Sequence, residues 1–181
     1  YFAKGDTAWL KPDQRKYIFN RAYSLMANQI GEPAPQLDLT DTLGKPHSLY
    51  SVKAPFTFVV FWDTNCSHCK IELPRVDSIY KAKWKKEGVH VFAVNTADAA
   101  VKDWKVFLNE HHLQNWTNVY QTKEAKTADE TANRANYRQL YDVYQTPTMY
   151  LLDKDKHILA KGLSLLQFDE VMNHQTKTEV K

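Results

Sequence analysis

Two cysteines, Cys66 and Cys69, are the residues in this chain best suited to chemistry, and Ser67 and His68 separate them. A thiolate can attack a disulfide or bind a metal ion. A disulfide between these two positions would stabilise the fold little, because the stabilisation grows with the length of the loop that is closed. The pair is therefore predicted to react rather than to cross-link the fold.

Zinc binding and haem attachment are two other uses of a cysteine pair. A closed zinc site needs four ligands, and the chain has no second C-x-x-C pair, so zinc binding would have to recruit His111 or His112. Covalent haem attachment requires a histidine directly after the second cysteine, where this chain has Lys70. The sequence therefore predicts no metal and no cofactor, with the zinc half-site as the alternative.

The setting of the pair favours Cys66 as the nucleophile. It follows the apolar stretch 56–62, typical of a buried strand, and precedes an amphipathic helix. Its sulfur would then face the free amide protons of the first helical turn, which favour the thiolate. His68 can add a positive charge or a hydrogen bond. Cys69, one helical turn further on, is expected to resolve a mixed disulfide formed at Cys66.

Pro147 is the second candidate site residue, since the run Gln145–Thr148 directly precedes an apolar strand. An X-Pro bond at such a junction can be cis. The exposed backbone beside it could then pair with an extended substrate peptide. The alternative is an ordinary trans proline that starts an edge strand.

The remaining elements predict an α/β protein with a central mixed sheet between helices. A helix within the first thirty residues ends before Gly31 and the prolines that follow, and its predicted apolar stripe consists of Ile18, Ala22, Leu25 and Met26. A short hairpin of the strands 36–40 and 46–50 comes next. The predicted later elements are the strand 56–62, a helix kinked at Pro74, the strands 89–95 and 117–120, a helix over 101–108 between these two strands, a helical stripe from Tyr137 to Tyr144, the hairpin 148–152 with 157–160, and a helix over 166–173. The polar stretch 122–136 is interpreted as an insertion.

The amino-acid composition limits the classes of partner that the protein is expected to bind. The 181 residues include 24 basic and 21 acidic side chains that are interspersed, so nothing indicates a nucleic-acid surface. The longest apolar run, 58–62, is far shorter than the roughly 20 residues of a membrane-spanning helix. Because the chain begins with Tyr1 rather than Met, we expect that an upstream piece was cleaved or left out, and any signal peptide or anchor would lie in that piece. Oligomeric state is not predicted.

Three segments carry a family resemblance. The segment 61–74 (FWDTNCSHCKIELP) is similar to the active-site segment of thioredoxin-like proteins of the TlpA/ResA type. The segment 31–44 resembles the part of that family that leads into the core, and 146–148 resembles its cis-proline loop. The likeness covers about residues 31–172. The first 30 residues lie outside it and are expected to form a helical extension, with 31–181 as the thioredoxin-like domain.

The resemblance implies a thioredoxin fold and a protein disulfide oxidoreductase of the bacterial cell envelope, on the periplasmic side, that exchanges disulfides with protein substrates and with a redox partner protein. It implies that Cys66 attacks, that Cys69 resolves and that Pro147 is cis. Glu72 matches the family's active-site glutamate, which could relay a proton to or from Cys69. The alternative for Glu72 is a solvated glutamate on a helix face.

Other positions near the dithiol are expected to contact substrate or to set the redox potential. Asn65 stands where the family has an aromatic residue, which makes this surface more polar. Thr146 and Trp62 are predicted to contact substrate, although Trp62 could instead be core packing. Val60 replaces the buried aspartate of cytosolic thioredoxin. His68 predicts a potential more oxidising than that of thioredoxin.

Two other functions compete with thiol-disulfide exchange. A thiol peroxidase would have Thr or Ser three positions before its nucleophile, where this chain has Asp63. A binding module could keep the fold without turnover, but the intact Cys66/Cys69 pair and Pro147 favour an enzyme.

Overall fold

The computed structural model describes residues 9–97 and 101–179. Within these residues a single mixed sheet contains the strands β1 Asp38–Asp41, β2 Pro46–Ser48, β3 Phe56–Trp62, β4 Val89–Asn95, β5 Thr117–Tyr120, β6 Thr148–Leu152 and β7 Ile158–Lys161. The helices are α1 Pro12–Ala27, α2 Ser67–Ile79, α3 Val101–Glu110, α4 Lys123–Thr131, α5 Tyr137–Leu140 and α6 Leu165–Glu179. The strands lie in the order β2-β1-β5-β4-β3-β6-β7. The predicted α/β fold with a central mixed sheet is confirmed.

Strand β3 lies at the centre of the sheet, and all seven of its residues are buried. It pairs parallel with β4 and antiparallel with β6. Because side chains alternate along a strand, Phe58 packs on one face, against Trp84 and Phe168, while Phe61 packs on the other, against Tyr141. The prediction of a strand covered on both faces is therefore confirmed, and this strand carries the dithiol at its carboxyl end.

The predicted N-terminal hairpin is present as β1 and β2, which pair antiparallel. Gly44 adopts φ 84° in the connecting turn, a left-handed conformation that favours glycine. The return strand is shorter than the predicted 46–50, because the chain turns into a 3-10 helix over Leu49–Ser51. Leu49 is fully buried there, so its packing favours the turn over a longer strand.

Helix α1 is present, but its predicted apolar stripe does not form the buried face. Leu25 and Met26 are 44% and 71% exposed, whereas Ser24 and Asn28 are completely buried. The Asn28 amide donates to the carbonyl oxygen of Leu140 at 2.8 Å. The helix docks through polar contacts because the surface beneath it offers carbonyl groups and charges. The part of the helix prediction that concerned residues 1–8 lies outside the described residues.

Other predicted helices are present, but some of them end at residues other than those predicted. Helix α2 continues through Pro74, as predicted, and passes into a π-helical turn over Tyr80–Trp84. Helix α6 runs six residues beyond the predicted end at residue 173, since its polar last turns lack the apolar spacing that the prediction relied on. The polar stretch 122–136 contains α4, which has no buried residue. Helix α5 is a single turn rather than a stripe that reaches Tyr144.

Candidate active site

Cys66 is the N-cap residue of α2. Its Sγ accepts a hydrogen bond from the backbone amide of Cys69 at 3.2 Å, as the exposed amides of a first helical turn allow. Cys66 is half-buried, whereas Cys69 has no exposed surface. Of the two sulfurs, only that of Cys66 is open to a partner.

The dithiol meets the loop before β6 because β3 and β6 are antiparallel neighbours. Phe61 at the end of β3 pairs with Thr148 at the start of β6. The Cys66 thiol therefore reaches the carbonyl oxygen of Thr146, to which it donates a hydrogen bond of 3.2 Å. The peptide bond between Thr146 and Pro147 is cis. The sheet thus brings together the two segments that the sequence singled out.

The two thiols have opposite acidities. Burial by itself raises the pKa of the Cys66 thiol. Hydrogen bonds from the side chains of Cys69 and Thr146 and from the backbone amides of Cys69 and His68 outweigh that effect, so the pKa of Cys66 lies below its ordinary value of 9.0. These donors stabilise the thiolate. The geometry therefore supports Cys66 as the nucleophile.

Cys69 is the protonated member of the pair. Its burial, and after it the hydrogen bond that its thiol donates to Cys66, raise the pKa of Cys69 to about 12. A protonated Cys69 stabilises the neighbouring thiolate and must lose its proton before it can attack a mixed disulfide. A proton acceptor is therefore needed near Cys69 in the resolving step.

His68 and Glu72 lie on the same side of α2 and line one groove together with Thr146 and Pro147, a space of about 950 Å³. His68 is exposed, and its backbone amide donates a hydrogen bond that lowers the pKa of Cys66. The Glu72 carboxylate forms an ion pair with Arg75 at 2.7 Å. The groove therefore joins the candidate proton relay to the candidate substrate contact.

The remaining predicted site residues divide into exposed and buried ones. Asn65 is exposed, and its backbone N–H donates to the Asp63 carboxylate at 2.7 Å in the turn before Cys66. Trp62 is completely buried and packs against Phe107, with ring centroids 5.0 Å apart. A direct substrate contact by Trp62 does not fit the structure, because none of its surface is exposed, and the alternative of core packing does.

The groove also contains residues that the sequence did not single out. Tyr17, Arg21 and Leu25 of α1 line it from the far side, and Tyr144 and Lys161 line it from the body of the domain. The spacing of Tyr17, Arg21 and Leu25 at every fourth position places them on one helix face. That spacing alone could not show which surface the face meets.

The part of the chain that the structure describes contains no group of three or more His, Cys, Asp or Glu side chains placed to hold a metal ion. No helix among those residues is long and apolar enough to cross a membrane.

Solved structures share this fold. A domain of a possible thiol-disulfide isomerase from Cytophaga hutchinsonii superposes with a TM-score of 0.69 at 30% identity, over 84% of this chain and 97% of the other. The thioredoxin domain of a thiol-disulfide oxidoreductase from Bacteroides vulgatus gives a TM-score of 0.65 at 27% identity, over 83% and 97%. The fold and the dithiol thus define a thiol-disulfide oxidoreductase of the thioredoxin fold.

The chain belongs to the AhpC/TSA family, whose family model matches residues 30–161. Among curated relatives it is similar to the thiol-disulfide oxidoreductase ResA of Bacillus thuringiensis strain Al Hakam, with 29% identity over 154 residues, 84% of this chain and 75% of that protein. ResA of Geobacillus kaustophilus is 36% identical over 69 residues, 38% of this chain and 39% of that protein. The resemblance to ResA noted in the sequence is thereby confirmed.

Proposed function

We propose that this protein exchanges disulfides with other proteins through Cys66 and Cys69. The Cys66 thiolate attacks one sulfur of a substrate disulfide, and the other substrate sulfur leaves as a thiolate. Cys69 then loses its proton and attacks the Cys66 sulfur, which releases the second substrate thiolate. Two electrons pass to the substrate, and the protein is left with a Cys66–Cys69 disulfide that a redox partner protein reduces. The reverse sequence oxidises a substrate dithiol.

The observation that carries this proposal is the environment of the Cys66 sulfur. This sulfur is half-buried and accepts a hydrogen bond from the backbone amide of Cys69 at 3.2 Å. The pKa of Cys66 is lowered, while the Cys69 thiol beside it keeps its proton. A nucleophile and a resolving group need this difference, because the thiolate of one must form before that of the other.

Glu72 and the residues around the sulfur have proposed roles in the same reaction. Glu72, three residues after Cys69 on α2, accepts the Cys69 proton in the resolving step and returns it when the disulfide is reduced. Its position about one helical turn beyond Cys69 on α2 supports this role. Thr146, Pro147 and Asn65 contact the substrate, and His68 raises the redox potential.

We place the protein in the cell envelope, on the periplasmic side, with its substrates among proteins that carry thiols or disulfides. The similarity to ResA supports this assignment. We further propose residues 1–30 as a helical extension and 31–181 as the thioredoxin-like domain. The reaction needs no cofactor, and nucleic acid is not a partner.

The test is to trap the mixed disulfide. Insulin is incubated with the reduced wild-type protein and with Cys69→Ser and Cys66→Ser variants, then separated on non-reducing gels. We expect Cys69→Ser to accumulate a covalent insulin adduct that dithiothreitol releases, Cys66→Ser to form none, and the wild type to turn insulin over. Equal trapping by both variants, or no trapping with rapid consumption of hydrogen peroxide, would overturn the proposal in favour of another reaction.

A further inference from the structure

Helix α1 lies outside the segment that the family model matches, yet it forms one side of the groove beside the dithiol. Tyr17, Arg21 and Leu25 project from it into the same space that His68 and Thr146 line. Thr146, whose carbonyl oxygen accepts a hydrogen bond from the Cys66 thiol, also lines the groove, so the groove begins next to the reactive sulfur. The helix is therefore placed to contact the substrate as well as to pack on the domain.

The groove side of α1 is held in place by contacts with the loop that leads to Pro147. The Arg21 guanidinium pairs with the Asp142 carboxylate at 2.5 Å and lies over the Tyr144 ring, 4.6 Å from its centroid. The rings of Tyr17 and Tyr144 meet edge to face, with centroids 6.5 Å apart. Contacts of this kind order side chains before a ligand arrives, which lowers the entropic cost of binding.

The ordered side chains nonetheless keep much of their apolar surface exposed. Tyr17 is 59% exposed, Tyr144 is 54% exposed and Leu25 is 44% exposed. Aromatic side chains with few rotatable bonds are common at the centre of protein interfaces, where they bury large areas. This part of the groove fits a large apolar side chain.

The charged side chains that line the groove differ in whether they form an ion pair. Asp142 is paired with Arg21, and Glu72 is paired with Arg75. The Lys161 ammonium instead donates to the side-chain oxygen of Asn28, and the carboxylate that acts on it from further away, that of Asp142, is already paired with Arg21. An acidic side chain of a ligand would therefore complement Lys161.

We propose that α1 and Lys161 select the substrate of this dithiol, and that the occupant of the groove is an extended, cysteine-containing protein segment. This segment carries a large apolar side chain, which packs on Tyr17, Tyr144 and Leu25, and an acidic side chain, which pairs with Lys161. The proposal rests on the disulfide exchange proposed above and names the class of segment that this exchange favours.

The test uses four short peptides with one cysteine activated as its 2-thiopyridyl disulfide. They carry Phe or Ser, and Glu or Gln, at two fixed positions beside the cysteine. The reduced protein supplies two electrons through Cys66 and Cys69, the peptide–pyridyl disulfide is reduced, and neutral pyridine-2-thione is released and measured by its absorbance. The rate with 2,2′-dithiodipyridine, which has no peptide, measures the intrinsic reactivity of the dithiol.

For each variant, the rate with each peptide is divided by the rate with 2,2′-dithiodipyridine. In the wild type we expect the Phe peptides to react about tenfold faster than the Ser peptides, the gain that burial of part of a large apolar side chain gives. Tyr17→Ser should remove most of that preference. Tyr23→Ser, which removes an exposed aromatic of the same helix that does not line the groove, should keep it.

The preference for an acidic side chain in the peptide is tested with Lys161→Met and with the conservative Lys161→Arg. We expect the Glu peptides to react about threefold faster than the Gln peptides at low ionic strength, a preference that about 1 M salt removes. Lys161→Met should lose it and Lys161→Arg should retain it. Equal rates for all four peptides, or equal effects of Tyr17→Ser and Tyr23→Ser, would overturn the proposal, whereas no reaction with 2,2′-dithiodipyridine would overturn the disulfide exchange itself.

Discussion

The thiol of Cys66 donates a hydrogen bond of 3.2 Å to the carbonyl oxygen of Thr146, a residue eighty positions further along the chain. Thr146 also lowers the pKa of Cys66 through a hydrogen bond from its side chain. Thr146 therefore acts on the reactive sulfur through its carbonyl oxygen and through its side chain, and the side chain favours the thiolate. The loop before β6 therefore affects the acidity of Cys66 in addition to forming the surface next to it.

Replacing Thr146 with valine should raise the pKa of Cys66, because the hydroxyl that donates to the thiolate is lost while the side-chain volume is kept. The rate of carboxamidomethylation at neutral pH should fall by at least about twofold, since less thiolate is present. Thr146→Ser keeps the hydroxyl and serves as the control, with a pH profile close to that of the wild type. A profile of Thr146→Val that matches both would show that the hydroxyl does not act on the sulfur.

The redox potential of the dithiol should be more oxidising than the roughly −270 mV of thioredoxin. A low pKa at Cys66 stabilises the reduced form, and His68 adds to this effect when it is protonated. Titration in glutathione redox buffers, followed by the fluorescence of the buried tryptophans, measures the potential. His68→Ala should shift it to a lower value. A wild-type potential at or below that of thioredoxin would contradict the role assigned to His68.

The ion pair between Arg21 and Asp142 should stabilise the docking of α1. Because Arg21 is partly exposed and also lies over Tyr144, we expect Arg21→Met to lower the free energy of unfolding by about 1 kcal/mol. Chemical denaturation measures the change, and the double variant with Asp142→Asn tests whether the two losses are coupled. Lys16→Met, an exposed change on the same helix, should stay within about 0.5 kcal/mol of the wild type. Additive losses would argue against the pair.

Asp169 should make the stability of the protein depend on pH in acid. Burial raises the pKa of this carboxyl, but hydrogen bonds from Lys83 and Trp84 outweigh that and hold it below its ordinary 3.8. A lowered pKa means that the stabilisation is present above pH 3.8 and is lost as the pH falls through the lower folded-state value.

Asp169→Asn removes this charge while the amide oxygen can still accept from Trp84. At neutral pH the variant should be less stable by about 1 kcal/mol, and the difference should shrink as the pH falls below 3.8. Denaturation midpoints across that range test the sign. Glu170→Gln, the exposed neighbour on the same helix, should show no such trend. A loss for Asp169→Asn that is constant with pH would exclude a contribution from the charge.

The sequence predicted the parts of the fold that depend on local apolar patterns. The strands β3 and β4 have their predicted bounds, since buried central strands are continuous runs of apolar residues. The sequence also singled out the two cysteines and Pro147 as candidate site residues, because their chemistry is rare and their spacing constrained, and the structure places them next to each other.

The sequence did not predict features that depend on polar or long-range contacts. Helix α1 packs on the domain through the buried residues Ser24 and Asn28, which an apolar stripe does not identify. Lys161 lines the groove because elements that are distant in the sequence meet there. The burial of Trp62 was one of two alternatives, because a strand-end aromatic can point into the core or over the site.

The most direct test of Cys66 as the nucleophile is the pH dependence of alkylation of the reduced protein by iodoacetamide, with the modified residue identified by mass spectrometry. We expect Cys66 alone to be modified between about pH 5 and pH 10. The midpoint of that modification should lie below 9.0, while Cys69, with a pKa of about 12 and no exposed surface, stays unmodified. A midpoint at or above 9.0, or equal modification of the two cysteines, would contradict that role of Cys66.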